Sequence, residues 1–131
     1  VLVGSAAGYY PAPRTATYAA SKAFVNFFAR ALAVELQPDV TVSVVCPTAV
    51  DTEFTERGGM ADSGVDDGLT QDPVDVARTT WRQHRAGERL IFPDWKDAVV
   101  CQLPRVLPRE TVTSLGADAF DNGTFPFLAD D

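Results

Sequence analysis

The chain is expected to fold as an α/β protein around a small parallel sheet, and three observations predict this. Short β-branched runs alternate with helical stretches, in the order strand, helix, strand, long connection, helix, strand, helix. Such alternation implies parallel strands joined by right-handed crossovers, with helices on both faces. The run at 40–46 carries little polar interruption, as does a strand covered on both sides. The 131 residues, 46% hydrophobic and 22% charged, are also the size and composition of one globular domain.

The first strand is Val-Leu-Val at 1–3, stopped by Gly4. Residues 5–13 read as loop, with Gly8, Pro11 and Pro13 around Tyr9 and Tyr10. A long helix is expected over 15–36, rich in Ala and Leu, with apolar groups recurring at Tyr18, Phe24, Phe27, Phe28, Ala31, Leu32 and Leu36. Pro38 lies just past its end. The second strand, 40–46, ends at Pro47. Residues 53–72 form a long connection with four glycines and the acids Glu53, Glu56, Asp62, Asp66 and Asp67 ahead of Asp72. Loops of that length in compact domains tend to be functional or mobile.

Asp72-Pro73 starts the next helix, with Asp as cap and Pro in the first turn. It is expected to reach about residue 85, burying Val76, Ala77, Thr80 and Trp81, before Gly87 breaks it. Residues 90–92 form the third strand, closed by Pro93. Asp94 can cap a helix interrupted at Pro104, and 109–115 adds a last turn or two. The tail, 117–131, is expected to be loosely ordered and acidic, leaving 1–116 as the folded part.

Composition excludes several function classes. No window of 18 uninterrupted apolar residues exists, and mean hydropathy is −0.03, so no membrane span is expected. A net charge of −7 should repel nucleic-acid phosphates and anionic lipids. Cys46 and Cys101 are too few for a disulfide scaffold or an ordinary zinc site, and read as reduced thiols in a cytoplasmic protein. Nothing in the opening residues reads as a secretory signal, and the abrupt start resembles the middle of a buried strand.

One constellation carries chemistry. Tyr18 and Lys22 are four apart on the long helix, so they share a face. Ser5 ends the first strand, and Pro47, Thr48, Val50 and Thr52 follow the second, so both pieces leave the carboxyl edge where such sheets bind ligands. The trio suits proton transfer to a carbonyl oxygen. A free tyrosine titrates near 10, and a neighbouring ammonium favours its phenolate. The Ser5 hydroxyl would hold the substrate oxygen while Tyr18 donates or accepts the proton.

The stretch 4–13, then Tyr18-Ala19-Ala20-Ser21-Lys22-Ala23, resembles the active-site segment of the short-chain dehydrogenase/reductase superfamily. The Ser-to-Tyr spacing matches, and so do residues 42–47, 50–54, 53–60 and 89–96, so that the resemblance covers about residues 1–110. It implies the C-terminal part of a Rossmann-like doubly wound sheet, with three strands and about three helices. It also implies NAD or NADP as cofactor and a small-molecule alcohol or carbonyl substrate. By that resemblance Tyr18 is the acid/base, Lys22 assists it and holds the ribose, and Ser5 orients the carbonyl. Pro47, Thr48, Val50 and Thr52 match the loop at the nicotinamide, although Thr48 replaces the usual Gly and resists a positive φ.

The family's Gly-rich nucleotide-binding half has no counterpart in these residues, and its absence would expose the edge of the first strand. The family's long helix builds a four-helix dimer interface, so a homo-oligomer through 15–36 is expected. The alternative is a truncated, inactive fragment serving only as an oligomerisation or interaction module.

Other residues have plainer readings. Tyr9 and Tyr10 either line a substrate pocket or anchor their loop. Arg14 and His84 read as surface groups, and Trp81 and Trp95 as core or dimer contacts. Asp62, Asp66 and Asp67 lack calcium-loop spacing, and Asn122-Gly123-Thr124 reads as a turn.

Overall fold

The computed structural model describes residues 1–57 and 69–122. Strand β1 (Leu2–Val3) leads through a 3₁₀ turn (Ala6–Tyr9) into helix α1 (Ala16–Glu35) and then to β2 (Val44–Val45). Next come β3 (Ala49–Val50), the single turn α2 (Phe54–Arg57) and β4 (Thr70–Gln71). The chain then runs through α3 (Pro73–Arg85), β5 (Leu90–Ile91), α4 (Trp95–Gln102), a second 3₁₀ turn (Leu103–Arg105) and α5 (Arg109–Asn122).

The main sheet is parallel, in the order β1-β2-β5, with Val44 opposite both Leu2 and Leu90. Alternating strands and helices thus give a partial Rossmann-like arrangement. The expected 40–46 strand is paired as a ladder only at Val44–Val45, because its neighbours are just as short. Its flanks are still held: Leu2 N–H donates to Ser43 O at 2.8 Å, and Ala6 N–H to Pro47 O at 2.9 Å. Val44 and Ile91 are wholly buried, and Val44 shares one core cluster with Ala29, Val100 and Cys101.

Helix α1 keeps its expected bounds to within a residue at each end. Its buried residues are Ala19, Asn26, Ala29 and Ala33, whereas Phe24 and Phe27 are each 67% exposed. Small side chains let the helix lie close to the sheet, and the phenylalanines are left on its back, where Phe24 and Phe28 stack at 5.6 Å.

Two parts of the 53–72 connection have structure that was not expected. Thr70–Gln71 pairs in parallel with Ala49–Val50, forming a second, two-stranded sheet, and Phe54–Arg57 makes a helical turn. The acidic residues Asp62, Asp66 and Asp67 lie outside the described residues.

Helix α3 begins at the expected cap, where Asp72 accepts from the Val74 and Asp75 N–H groups at 2.8 and 3.0 Å. It buries no residue fully, however. Val76 and Thr80 are half-buried, Ala77 is exposed and Trp81 is 60% exposed. The helix rests on the sheet by one narrow edge, and a strongly polar sequence allows no more. Trp95 is exposed as well, so neither tryptophan belongs to the core. His84 is half-buried rather than at the surface, with Nδ1 2.8 Å from Ser43 Oγ. Ser43 donates to the Glu88 carbonyl, so Nδ1–H is the donor toward Ser43.

Asp94 and Asp97 form a capping box on α4, and Pro104 interrupts that helix as expected. Helix α5 continues well past 115, through 117–122 of the expected tail, to Asn122. Arg14, at φ 68°, pairs with Asp121 on this helix at 2.5 Å. Among the described residues no helix is long and apolar enough to cross a membrane, and no group of three or more ligating side chains could hold a metal.

Candidate active site

Four links draw the expected residues together at the carboxyl edge of the sheet. Lys22 Nζ donates to the Val3 carbonyl at 3.1 Å, bringing the ammonium to the end of β1. The same ammonium lies 5.7 Å from the centre of the Tyr18 ring, one helical turn back. The Tyr18 ring meets Phe54 of α2, with centroids 5.4 Å apart, so the segment after β3 closes against the tyrosine. The Ala6–Pro47 backbone bond joins the turn after Ser5 to the start of the 47–52 loop. Tyr18 and Lys22 are half-buried, a setting in which both can reach a ligand.

Ser5 sits deeper. It is 4% exposed and caps the 3₁₀ turn, its Oγ accepting from Ala7 N–H at 3.1 Å. This leaves the hydroxyl's own proton to donate.

Asn26, which sequence reasoning overlooked, holds Ser5 from below. Its Oδ1 accepts from Ser5 N–H at 3.3 Å, and its Nδ2 donates to Ser5 O at 2.9 Å. The Cys46 thiol also donates to Oδ1, at 3.4 Å. The helical spacing 18, 22, 26 was a signal that could have found it. A lone Asn in an apolar helix, however, reads as an unremarkable surface residue.

The 47–52 loop is anchored by a second overlooked residue. Asp97 is wholly buried, and its Oδ1 accepts from Thr48 N–H at 2.8 Å and from Thr48 Oγ1 at 2.7 Å. Gln71 Nε2 donates to both carboxylate oxygens, and Asp94 N–H to Oδ2. Both Thr48 donors therefore point to Asp97. Thr48 is not strained either: Arg14 is the described non-glycine residue with a positive φ, so the expected conflict at Thr48 does not arise. Pro47 and Val50 are half-buried and Thr52 is exposed, its hydroxyl accepting from Phe54 N–H at 3.4 Å.

Tyr9 and Tyr10 anchor their loop and also line a groove. Tyr9 packs on Phe92 with centroids 6.4 Å apart, and burial pushes both phenols well above their ordinary range. Burial likewise raises the Cys46 thiol to about 11 and the Cys101 thiol further still. The groove, about 510 Å³, runs between residues 8–13 and the Ala16, Ala19, Ala20 and Ala23 side of α1. None of Ser5, Tyr18 and Lys22 lines it.

Comparison with known proteins adds ancestry to this geometry. Residues 1–61 match the family model described as short chain dehydrogenase. The chain is 33% identical over 113 residues to 11-beta-hydroxysteroid dehydrogenase-like 6 of Arabidopsis thaliana, covering 76% of this chain and 33% of that protein. It is 41% identical over 73 residues to sulfoacetaldehyde reductase 2 of Chromohalobacter salexigens, covering 55% and 29%. To 11-beta-hydroxysteroid dehydrogenase A of Sesamum indicum it is 28% identical over 104 residues, covering 79% and 23%. The chain thus spans a third or less of the length of these curated relatives. No solved structure matches significantly. Distant as they are, and confined to part of the chain, these matches support membership of the short-chain dehydrogenase/reductase superfamily.

Proposed function

We propose that this chain carries the proton-transfer part of an NAD(P)-dependent oxidoreductase that interconverts an alcohol and a carbonyl. It would correspond to the C-terminal half of a short-chain dehydrogenase/reductase domain. The observation that carries this reading is the Lys22–Val3 hydrogen bond at 3.1 Å, with Tyr18 beside the ammonium. It sets an acid/base candidate and a cation at the strand end that leads directly into Ser5.

The donor set fits the nicotinamide-riboside end of such a cofactor. Lys22 would hold the ribose hydroxyls together with Tyr18, while Pro47, Val50 and Thr52 border the nicotinamide. Thr48 enters as the residue that ties this loop to Asp97. When bound, a nicotinamide supplies or accepts the hydride. Tyr18 gives its proton to the carbonyl oxygen on reduction and takes it back on oxidation. Lys22 stabilises negative charge as it develops on the tyrosine oxygen. Ser5, with its hydroxyl proton unspent by the cap, donates to the same substrate oxygen.

The test is titration of the purified chain with NADH and NADPH, followed by turnover of carbonyl compounds, including steroid ketones and short aldehydes, with wild type and Tyr18→Phe. Saturable binding and a loss of at least about 100-fold in turnover on substitution are expected. Absence of binding to either nucleotide would sink the reading.

A second reading, pairing of α1 with a second copy of the chain, is favoured by the exposed Phe24, Phe27 and Phe28. Light scattering should then give twice the chain mass, returning to the single mass in Phe24→Lys/Phe28→Lys. A single mass for wild type refutes it.

A further inference from the structure

We propose that Asn26 is a positioning residue of this site: its buried carboxamide fastens the Ser5 turn to the helix that carries Tyr18 and Lys22. The proposal rests on the reading of Ser5, Tyr18 and Lys22 as the reacting set. Asn26 lies four residues beyond Lys22 and eight beyond Tyr18, on the same side of α1. It is 2% exposed, and a buried amide is costly unless its polar atoms are bonded. Both are bonded, and to the same residue: Oδ1 to Ser5 N–H at 3.3 Å and Nδ2 to Ser5 O at 2.9 Å. Gripping the amide and the carbonyl of one residue fixes both its place and its rotation.

The neighbouring glycines are shaped to this grip. A Cβ at Gly4 would lie 2.0 Å from Asn26 Oδ1, and one at Gly8 2.5 Å from Nδ2. The turn around Ser5 therefore leaves its side-chain space to the carboxamide. An apolar side chain at 26 would fill the volume but strand Ser5 N–H in a buried place, and would leave Ser5 C=O only its bond from Gly8 N–H at 3.2 Å. Ser5 and Tyr18 must meet one substrate oxygen, so a displaced Ser5 turn should slow the chemical step more than it weakens binding.

The experiment uses the 131-residue chain with Asn26→Asp and Asn26→Leu. Asp keeps an oxygen toward Ser5 N–H but sets a second one against Ser5 O; Leu removes both bonds. Amide hydrogen exchange read by NMR should rise at least about tenfold at Ser5 in the Leu variant, relative to Val44 in the same protein. Equal rises at Ser5 and Val44 in both variants would reduce Asn26 to a core residue and overturn the proposal, as would no rise at all. Wild type alone gives an independent readout should neither variant fold. The Asn26 side-chain NH₂ should exchange slowly and show scalar coupling to the Ser5 carbonyl carbon, and a fast-exchanging, uncoupled NH₂ overturns the clamp.

Where wild type turns over, Asn26→Asp should lower kcat about tenfold or more with KM within about twofold. Wild-type kcat in that variant would overturn the positioning role. A wild type without turnover defeats the proposed function, while Ser5 exchange still decides the clamp.

Discussion

Replacing Asp97 by Asn should destabilise the protein out of proportion to its small change in shape. The wholly buried carboxylate is the acceptor for Thr48 N–H, Thr48 Oγ1, Gln71 Nε2 and Asp94 N–H. An amide of the same size has one acceptor oxygen. With that oxygen toward Thr48, its NH₂ faces the Asp94 N–H, which then has no acceptor and meets another donor. Losing one buried bond to a charged acceptor and leaving a donor unsatisfied costs about 2 kcal/mol. Asp97→Ala strands every partner and should cost about 4 kcal/mol. For a domain of this size, 1 kcal/mol is worth roughly 4 °C in Tm, so falls of about 8 °C and 16 °C are expected by calorimetry. Thr48→Val removes one of the bonds, and the Thr48→Val/Asp97→Asn cycle in urea should show a coupling near 1 kcal/mol. A melting point within about 2 °C of wild type for Asp97→Asn, or additivity within about 0.3 kcal/mol, would refute the idea that Asp97 holds the 47–52 loop.

Three further outcomes are expected. Cys46, whose thiol is raised to about 11 by burial, should resist alkylation of the folded protein at pH 8 and react promptly in denaturant. Because its folded value lies above the 9.0 of a free thiol, the unfolded chain releases that proton first. This contribution to stability is whole below pH 9 and is lost as pH rises through about 11, which urea titrations at pH 8 and pH 10.5 would detect. Gly8→Ala should cost about 2 kcal/mol or more, since its Cβ would lie 2.7 Å from Ala23 N and Lys22 C, both backbone atoms that cannot step aside; an unchanged urea midpoint would contradict this. Asp72→Ala should lower stability by about 1 kcal/mol through loss of the α3 cap, and Asp72→Asn by much less, as measured in the same way.

The parts of the fold that were legible in the sequence have local causes. The α1 bounds followed from a long run of helix formers ended near Pro38, and α3 from Asp72-Pro73. The break at Pro104 followed from the missing backbone donor. The parallel direction of β1, β2 and β5 followed from alternation and crossover handedness. Strand lengths did not, because ladder pairing depends on how far the partner strand runs, and β1 and β5 are two residues each. The inward face of α1 was not legible for a similar reason. Large apolar side chains suggest a core face, yet a helix pressed close to a sheet buries its alanines and Asn26 instead. The β3–β4 pair was invisible because Ala49-Val50 and Thr70-Gln71 carry no strand pattern of their own.

The candidate site divides along the same line. Tyr18 and Lys22 were visible because helical periodicity alone puts residues four apart on one face. Ser5 and the 47–52 loop were visible because parallel strands end at a common edge. What the sequence by itself determined is therefore which candidate side chains share a helix face and the sheet edge at which they gather. Tertiary structure alone decided how those groups are held: Lys22 on the Val3 carbonyl, the Ser5 turn on Asn26, and Thr48 on a buried Asp97. The physical reason is that periodicity and turn signals act over a few residues, while a buried amide or carboxylate finds its partners only once distant segments have packed. For a group taken out of water those partners are obligatory, but nothing in the local sequence names them.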